Sequence, residues 1–223
     1  MISIGDQNQL LIQIGNKLPE EITIYAIGGT AMMFLGLKDV TKDIDLVFTD
    51  KKERKMFKEA AISLGYKEMD SAIVYGVQNN RPEMITLGTS HFDLFSLEVI
   101  DFIFSKNMQE RATQIHQFGK NLKLKIADKH DIIIMKCATR RMKDEDDIVN
   151  IVKNNPPINW DIIIKEIKFQ VDLGKEIAFM EMGNVIEKLI YTHKLDVSKS
   201  ILNTFFSLLK EQVDRKKENN DKF

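Results

Sequence analysis

The sequence predicts a mixed α/β (α+β) domain followed by a C-terminal helical region, and three observations carry that expectation. Short runs with apolar residues at every second position, around residues 22–26, 44–48 and 122–126, alternate with stretches of helical spacing. The first of these runs leads into Gly28-Gly29-Thr30, a short helical stretch, and then an Asp43-Ile44-Asp45 strand. Beyond Pro156-Pro157 only helical spacing remains. That dipeptide is the best boundary in the chain, so one domain is expected over 1–154 and a helical region over 155–223.

The elements follow in order. A first helix is expected from about Asp6 to Lys17, with Leu10, Leu11 and Ile14 on one face and Pro19 ending it. Ile22, Ile24 and Ala26 alternate into the first strand, and a second strand over 44–48 carries the carboxylates. A helix over 51–64 is closed by Gly65. Two extended pieces come next, 72–77 and 84–87, with turn residues Asn79, Asn80 and Pro82 between them. Strands over 91–95 and 122–126 precede Asp128, which is suited to cap a helix over 129–140. The C-terminal helices are expected at 158–173, 175–193 and 195–217. Asp196 is a candidate cap for the last, whose apolar face is Ile201, Leu202, Phe205, Phe206 and Leu209. Such a face is usually core or partner surface. The polar stretch from Arg215 to Lys222 is expected to fray.

Composition narrows the class. With 32 basic and 33 acidic residues the net charge is −1, which excludes a globally basic nucleic-acid coat but permits a local basic patch. No apolar run is long enough to span a membrane, so no membrane partner is expected. The first residues lack the basic start and small-residue cleavage site of a secretory signal. The single cysteine, Cys137, has no internal partner and reads as a small core residue, which suits a reducing cytoplasm. A cytoplasmic location is therefore expected.

The chemistry concentrates near the glycine turn. Side chains alternate faces along a strand, so Asp43 and Asp45 share one face while Ile44 and Leu46 face the core. Two neighbouring carboxylates repel unless a positive group lies between them, and a hard divalent cation is the usual answer. Gly28, Gly29 and Thr30 open a helix whose free N–H groups favour phosphate. A lone Asp-x-Asp is often a solvated strand end, and a lone Gly-Gly is often only a turn. Their ordered combination points to nucleotide chemistry.

This segment resembles the signature of the nucleotidyltransferase superfamily that includes DNA polymerase β. The nearer resemblance is to its bacterial and archaeal branch typified by the abortive-infection toxin AbiEii. The matching residues are Gly28-Gly29-Thr30-Ala31, Gly36-Leu37-Lys38 and Thr41-Lys42-Asp43-Ile44-Asp45-Leu46. Lys38 stands where arginine is common in that branch, which keeps charge but weakens bidentate phosphate contact. The resemblance implies a small nucleotidyltransferase-type sheet flanked by helices, and a metal-dependent transfer of NMP from an NTP to a hydroxyl acceptor. It implies Mg²⁺ at Asp43 and Asp45, with Mn²⁺ as the alternative, and phosphate contact by Gly28, Gly29, Thr30 and Thr41. In the 91–95 strand Phe92 and Leu94 alternate with Asp93, which is where the superfamily keeps its third metal-site carboxylate, so the resemblance implies that Asp93 joins Asp43 and Asp45 to bind a second cation. Glu98 and Asp101 are the fallback candidates; the alternative for Asp93 is a solvent-facing acid on an edge strand.

A second landmark of that branch is a helix lysine, a basic residue and then Lys-Asp-x-x-Asp-Ile. It maps onto Lys136, Arg141, Lys143, Asp144 and Asp147. The resemblance implies phosphate contact for Lys136, Arg141 and Lys143. A salt bridge between helices accounts equally for Asp147; for Lys136 the alternative is a snorkelling rim lysine, and the resemblance tips it towards phosphate contact. Relatives of AbiEii include toxins that act on tRNA, so an RNA or tRNA acceptor and a cognate antitoxin are the implied partners. Two other classes stay open: a nucleotide-binding regulator without turnover, and a protein that oligomerises or binds partners through its C-terminal helices.

Overall fold

The computed structural model describes residues 1–137, 139, 142–154 and 157–220 of the chain. They fall into two compact units, residues 1–132 and the described residues from 133 onward.

The first unit begins with β1 (Ile2–Ser3), α1 (Ile4–Lys17), β2 (Ile22–Ala26), α2 (Gly28–Phe34), β3 (Val40–Thr41) and β4 (Ile44–Val47). It continues with α3 (Lys51–Ser63), β5 (Lys67–Met69), α4 (Ala72–Tyr75), β6 (Glu83–Leu87) and β7 (Ser90–Phe95). Then come β8 (Glu98–Val99), β9 (Phe102–Ile103), α5 (Lys106–Arg111), β10 (Gln114–Phe118), β11 (Leu122–Ile126) and the start of α6 (Lys129–Cys137). Seven strands make one mixed sheet in the order β10-β11-β2-β4-β7-β6-β5. Within it β11 runs parallel to β2 and β4 parallel to β7, while the other neighbours are antiparallel. The parallel β4–β7 pair needs a crossover, and α3 lies within it.

The central strands β4 and β7 carry the core. Ile44 and Leu46 of β4 and Phe92 and Leu94 of β7 are fully excluded from solvent. Phe57 of α3 meets Phe48 and Phe92 edge to face, at centroid distances of 5.4 and 5.6 Å. On α1, Gly15 lets the helix sit against β10: a Cβ there would lie 2.1 Å from the Phe118 carbonyl oxygen. The same helix starts at Ile4, two residues earlier than its spacing predicts. A capping box explains this, with the Ser3 hydroxyl accepting from the Asp6 N–H while the Asp6 carboxylate accepts from the Ser3 N–H.

One expected strand is corrected. Residues 72–77, read as extended from Ala-Ile-Val-Tyr, begin with the short helix α4. The Asp70 side chain accepts from the Ala72 N–H at 2.8 Å, and Gly76 at φ +61° ends the turn. Local capping thus overrides β-branched propensity. The two- and three-residue strands and the polar β10 show too little alternation to be read from sequence.

The second unit holds the rest of α6, then α7 (Met142–Asn154), α8 (Trp160–Asp172), α9 (Ala178–Tyr191) and α10 (Lys199–Asn220). Helix α9 packs against both α8 and α10. Its Met182, Ile186 and Leu189 are buried together with Ile163 and Ile167 of α8 and Leu202 and Phe205 of α10. Within the expected face of α10, Phe206 is instead exposed. That helix starts four residues later than expected, so Asp196 does not cap it; the Ser198 hydroxyl accepts from the Ser200 N–H at 3.3 Å. It also continues to Asn220, through most of the stretch expected to fray. Arg140, the expected end of α6, and Pro156 of the expected boundary lie outside the described residues. No helix among the described residues is long and apolar enough to cross a membrane.

Candidate active site

The glycine turn lies directly against an acidic strand. Gly28 adopts φ +54°, a left-handed conformation that favours glycine, and a Cβ there would lie 2.7 Å from Asp45 Oδ2. The main chain therefore approaches that carboxylate as closely as only glycine permits. Gly29 makes a similar approach to Thr41, whose Oγ1 would lie 2.7 Å from an added Cβ. Thr30 is fully buried, and its hydroxyl accepts the Asp45 N–H at 2.8 Å. Thr30 thereby ties α2 to β4 through the main chain of the residue that carries the carboxylate.

Asp45 and Asp93 are direct partners in the parallel β4–β7 register. Register partners point to the same face with strands about 4.8 Å apart, so the two carboxyls stand side by side. Asp93 is 2 % exposed and β7 is flanked by β4 and β6, which rules out a solvent-facing acid on an edge strand. Asp43 precedes β4 in a bend and is half-buried. Strand alternation therefore stops one residue short of it. Glu98 is exposed in β8 and Asp101 lies in the turn before β9, both beyond the end of β7.

Sequence reasoning missed Tyr75. Its hydroxyl donates to Asp93 Oδ2, and its ring stands edge-on to Phe95 at 6.2 Å. The error in reading 72–77 as a strand hid it, and only Asp70 and Gly76 could have signalled the helix turn.

In the second unit Lys136 is buried and donates to Asp144 Oδ1 at 2.8 Å and to Asp147 Oδ2 at 2.6 Å. Both carboxylates are buried as well. Asp144 and Asp147 lie one turn apart on α7, so a single ammonium on α6 reaches both. Asp144 also accepts from the Thr139 hydroxyl at 2.5 Å. Lys136 lines a cleft of about 290 Å³ with Glu145, Glu181 and Lys188, all in this unit. Lys143 is exposed. Arg141 lies outside the described residues.

Among the described residues no group of three or more His, Cys, Asp or Glu side chains is gathered to hold a metal ion. Asp45, with Asp43 in the bend before β4, does offer hard oxygen donors without His or Cys, which suits Mg²⁺ or Mn²⁺. Mg²⁺ characteristically takes one or two carboxylates and completes its shell with water and substrate phosphates, so two acids fit without a full protein cage.

A mixed sheet flanked by helices, with a glycine turn set against an acidic strand and a helical C-terminal region, is the architecture of a nucleotidyltransferase. The chain belongs to the family described as nucleotidyltransferase of unknown function (DUF6036), whose model matches residues 7–187. It is accordingly an enzyme that transfers nucleotides, with an NTP as substrate class; enzymes of this kind generally use divalent metals. Two solved structures are similar to it at low identity. One is ANT(2″)-Ia in complex with adenylyl-2″-tobramycin: 14% identity, 67% of this chain and 90% of that chain covered, TM-score 0.45. The other is the solution structure of the antibiotic-resistance factor ANT(2″)-Ia: 10% identity, 98% and 99% covered, TM-score 0.43. No curated protein matches the chain.

Proposed function

We propose that the first unit transfers NMP from an NTP to a hydroxyl acceptor at the Asp45–Asp93 pair. The observation that carries this is the register pairing of the two aspartates, with the Gly28 main chain close against Asp45. In this reading the main-chain N–H groups of Gly28 and Gly29 bind phosphate oxygens, their missing side chains let the turn close on Asp45 and Thr41, and Thr30 and Thr41 hold the turn in position. Asp45, with Asp43 from the preceding bend, holds the cation that carries the triphosphate. That cation, Mg²⁺ or Mn²⁺, supplies charge neutralisation on the phosphates when bound. Asp93 takes the proton of the acceptor hydroxyl as the new oxygen–phosphorus bond forms. Two features support Asp93 as base: it is buried, and it already accepts a hydrogen bond from a hydroxyl.

The resemblance to AbiEii-like toxins puts RNA, and tRNA first, among the acceptors to test, with an antitoxin as the matching protein partner and the cytoplasm as the setting. The test is incubation with each α-phosphate-labelled NTP, Mg²⁺ and total RNA, followed by separation of labelled products. Asp93→Asn is expected to bind NTP nearly as the wild type does yet transfer nothing. Equal transfer by the two proteins would remove Asp93 from the reaction.

A further inference from the structure

Tyr75 stands where an acceptor should. It ends α4, a four-residue helix with no buried residue, so few apolar contacts hold it to the sheet. The neighbouring Ile73, Val74 and Val77 are exposed. Its ring is perpendicular to Phe95, two residues along β7 from Asp93, and its hydroxyl donates to Asp93 Oδ2. A general base must lie within hydrogen-bond reach of the proton that it removes, and this phenol meets that condition. Asp93 is in turn the register partner of Asp45, whose carboxylate lies against Gly28. The close-approach glycine, the carboxylate pair and the phenol thus follow one another in a single series, Gly28 against Asp45, Asp45 beside its register partner Asp93, and Asp93 hydrogen-bonded to Tyr75.

We propose that Tyr75 is an internal acceptor, so that bound NTP transfers its nucleoside monophosphate to the Tyr75 hydroxyl of the same chain. The proposal rests on the nucleotidyl-transfer reading above. In the step, Asp93 takes the phenolic proton and the Tyr75 oxygen bonds to the α-phosphorus. The bond from that phosphorus to the bridging oxygen breaks, and pyrophosphate leaves with the electron pair. Nothing is oxidised or reduced, and no further reactant is needed. A phenol, with a pKa of about 10, is a readier nucleophile through its anion than an aliphatic hydroxyl. The product is an aryl phosphodiester on α4. It withdraws the hydroxyl from Asp93 and leaves a nucleotide tethered beside the glycine turn.

The experiment incubates the full chain with Mg²⁺ and each of the four NTPs labelled at the α-phosphate, with and without total RNA, with pyrophosphate release followed in parallel. Peptide mass spectrometry then locates the label. One nucleoside monophosphate is expected on the peptide that contains Tyr75, at a rate per chain that does not change on dilution. Tyr75→Phe is expected to lose that label while still gaining thermal protection from NTP, which shows it to be folded. Asp93→Asn is expected to lose the label with Tyr75 still present. Label on another residue or only on added RNA, with Tyr75 unmodified, overturns the proposal and leaves nucleotidyl transfer standing. A rate that falls with dilution overturns the same-chain step. No label and no pyrophosphate with any NTP overturns both readings together.

Discussion

Asp45 is held from three sides: Thr30 accepts its N–H, Gly28 closes on its carboxylate, and Asp93 stands across the strand pair. Asp45→Asn keeps the shape and relieves charge repulsion between the pair. Its thermal unfolding temperature is expected to match or exceed that of the wild type, while transfer falls by about 10²–10⁴-fold; retained transfer in a labelled-NTP assay would contradict the assignment. Gly28→Ala asks for both a left-handed alanine and a Cβ 2.7 Å from Asp45 Oδ2. A stability loss of about 1–3 kcal/mol is expected from the backbone strain alone, read by urea unfolding, together with loss of NTP protection. At this scale the alternation around Asp45 and Asp93 was legible, because apolar neighbours mark the strand faces. Asp43 was less so, since β4 begins only at Ile44 and alternation has no force in a bend. Tyr75 was not legible, because its contact depends on a helix turn set by Asp70 and Gly76.

A buried ion pair ties two elements together. Arg111 of α5 grips Asp131 of α6 with Nε at 3.1 and 3.0 Å from the two carboxylate oxygens and one Nη at 2.6 Å, and Asp131 is fully buried. Removing one partner of such a pair strands the other, so Arg111→Ala is expected to cost about 3–5 kcal/mol in chemical denaturation; a loss near zero would mean that water replaces the guanidinium. Asp128 caps α6, accepting from the His130 N–H at 2.9 Å. Burial raises its pKa, but hydrogen bonds from the His130 ring and main chain, with the charges of His130 and Arg111, outweigh it and hold the carboxyl below its ordinary 3.8. A group depressed in the folded state adds stability above its unfolded pKa, and that stability is lost as pH falls through the folded value. The stability difference between wild type and Asp128→Asn is therefore expected to be constant above about pH 5 and to shrink below about pH 4. A difference that grows in acid would reverse the sign. The sequence marked Asp128 as a cap because it precedes an apolar helix run. It could not show the Arg111–Asp131 pair, whose partners are 20 residues apart with no periodic relation.

At the scale of the whole molecule, strongly patterned elements were legible and weakly patterned ones were not. The sheet's central strands, α1, α3 and the C-terminal helices each carry a clear period, and their placement differed from expectation mainly at their ends. Strand order was beyond the sequence: the β4–β7 pairing that aligns Asp45 with Asp93 joins residues 48 positions apart through long-range strand pairing. Ligand binding should be visible across the chain as stabilisation, since NTP with Mg²⁺ at 100 times its dissociation constant adds about 2.7 kcal/mol. That shift is expected to vanish on adding EDTA. The most direct measurement compares wild type and Asp45→Asn, incubated with each α-labelled NTP, Mg²⁺ and total RNA, with labelled product and pyrophosphate both quantified. Wild type is expected to form a labelled acceptor and pyrophosphate in equal amounts, and Asp45→Asn, though folded, to form about 10²–10⁴-fold less of each. Equal product from both proteins, or NTP binding by both with no product from either, would contradict nucleotidyl transfer at this carboxylate pair.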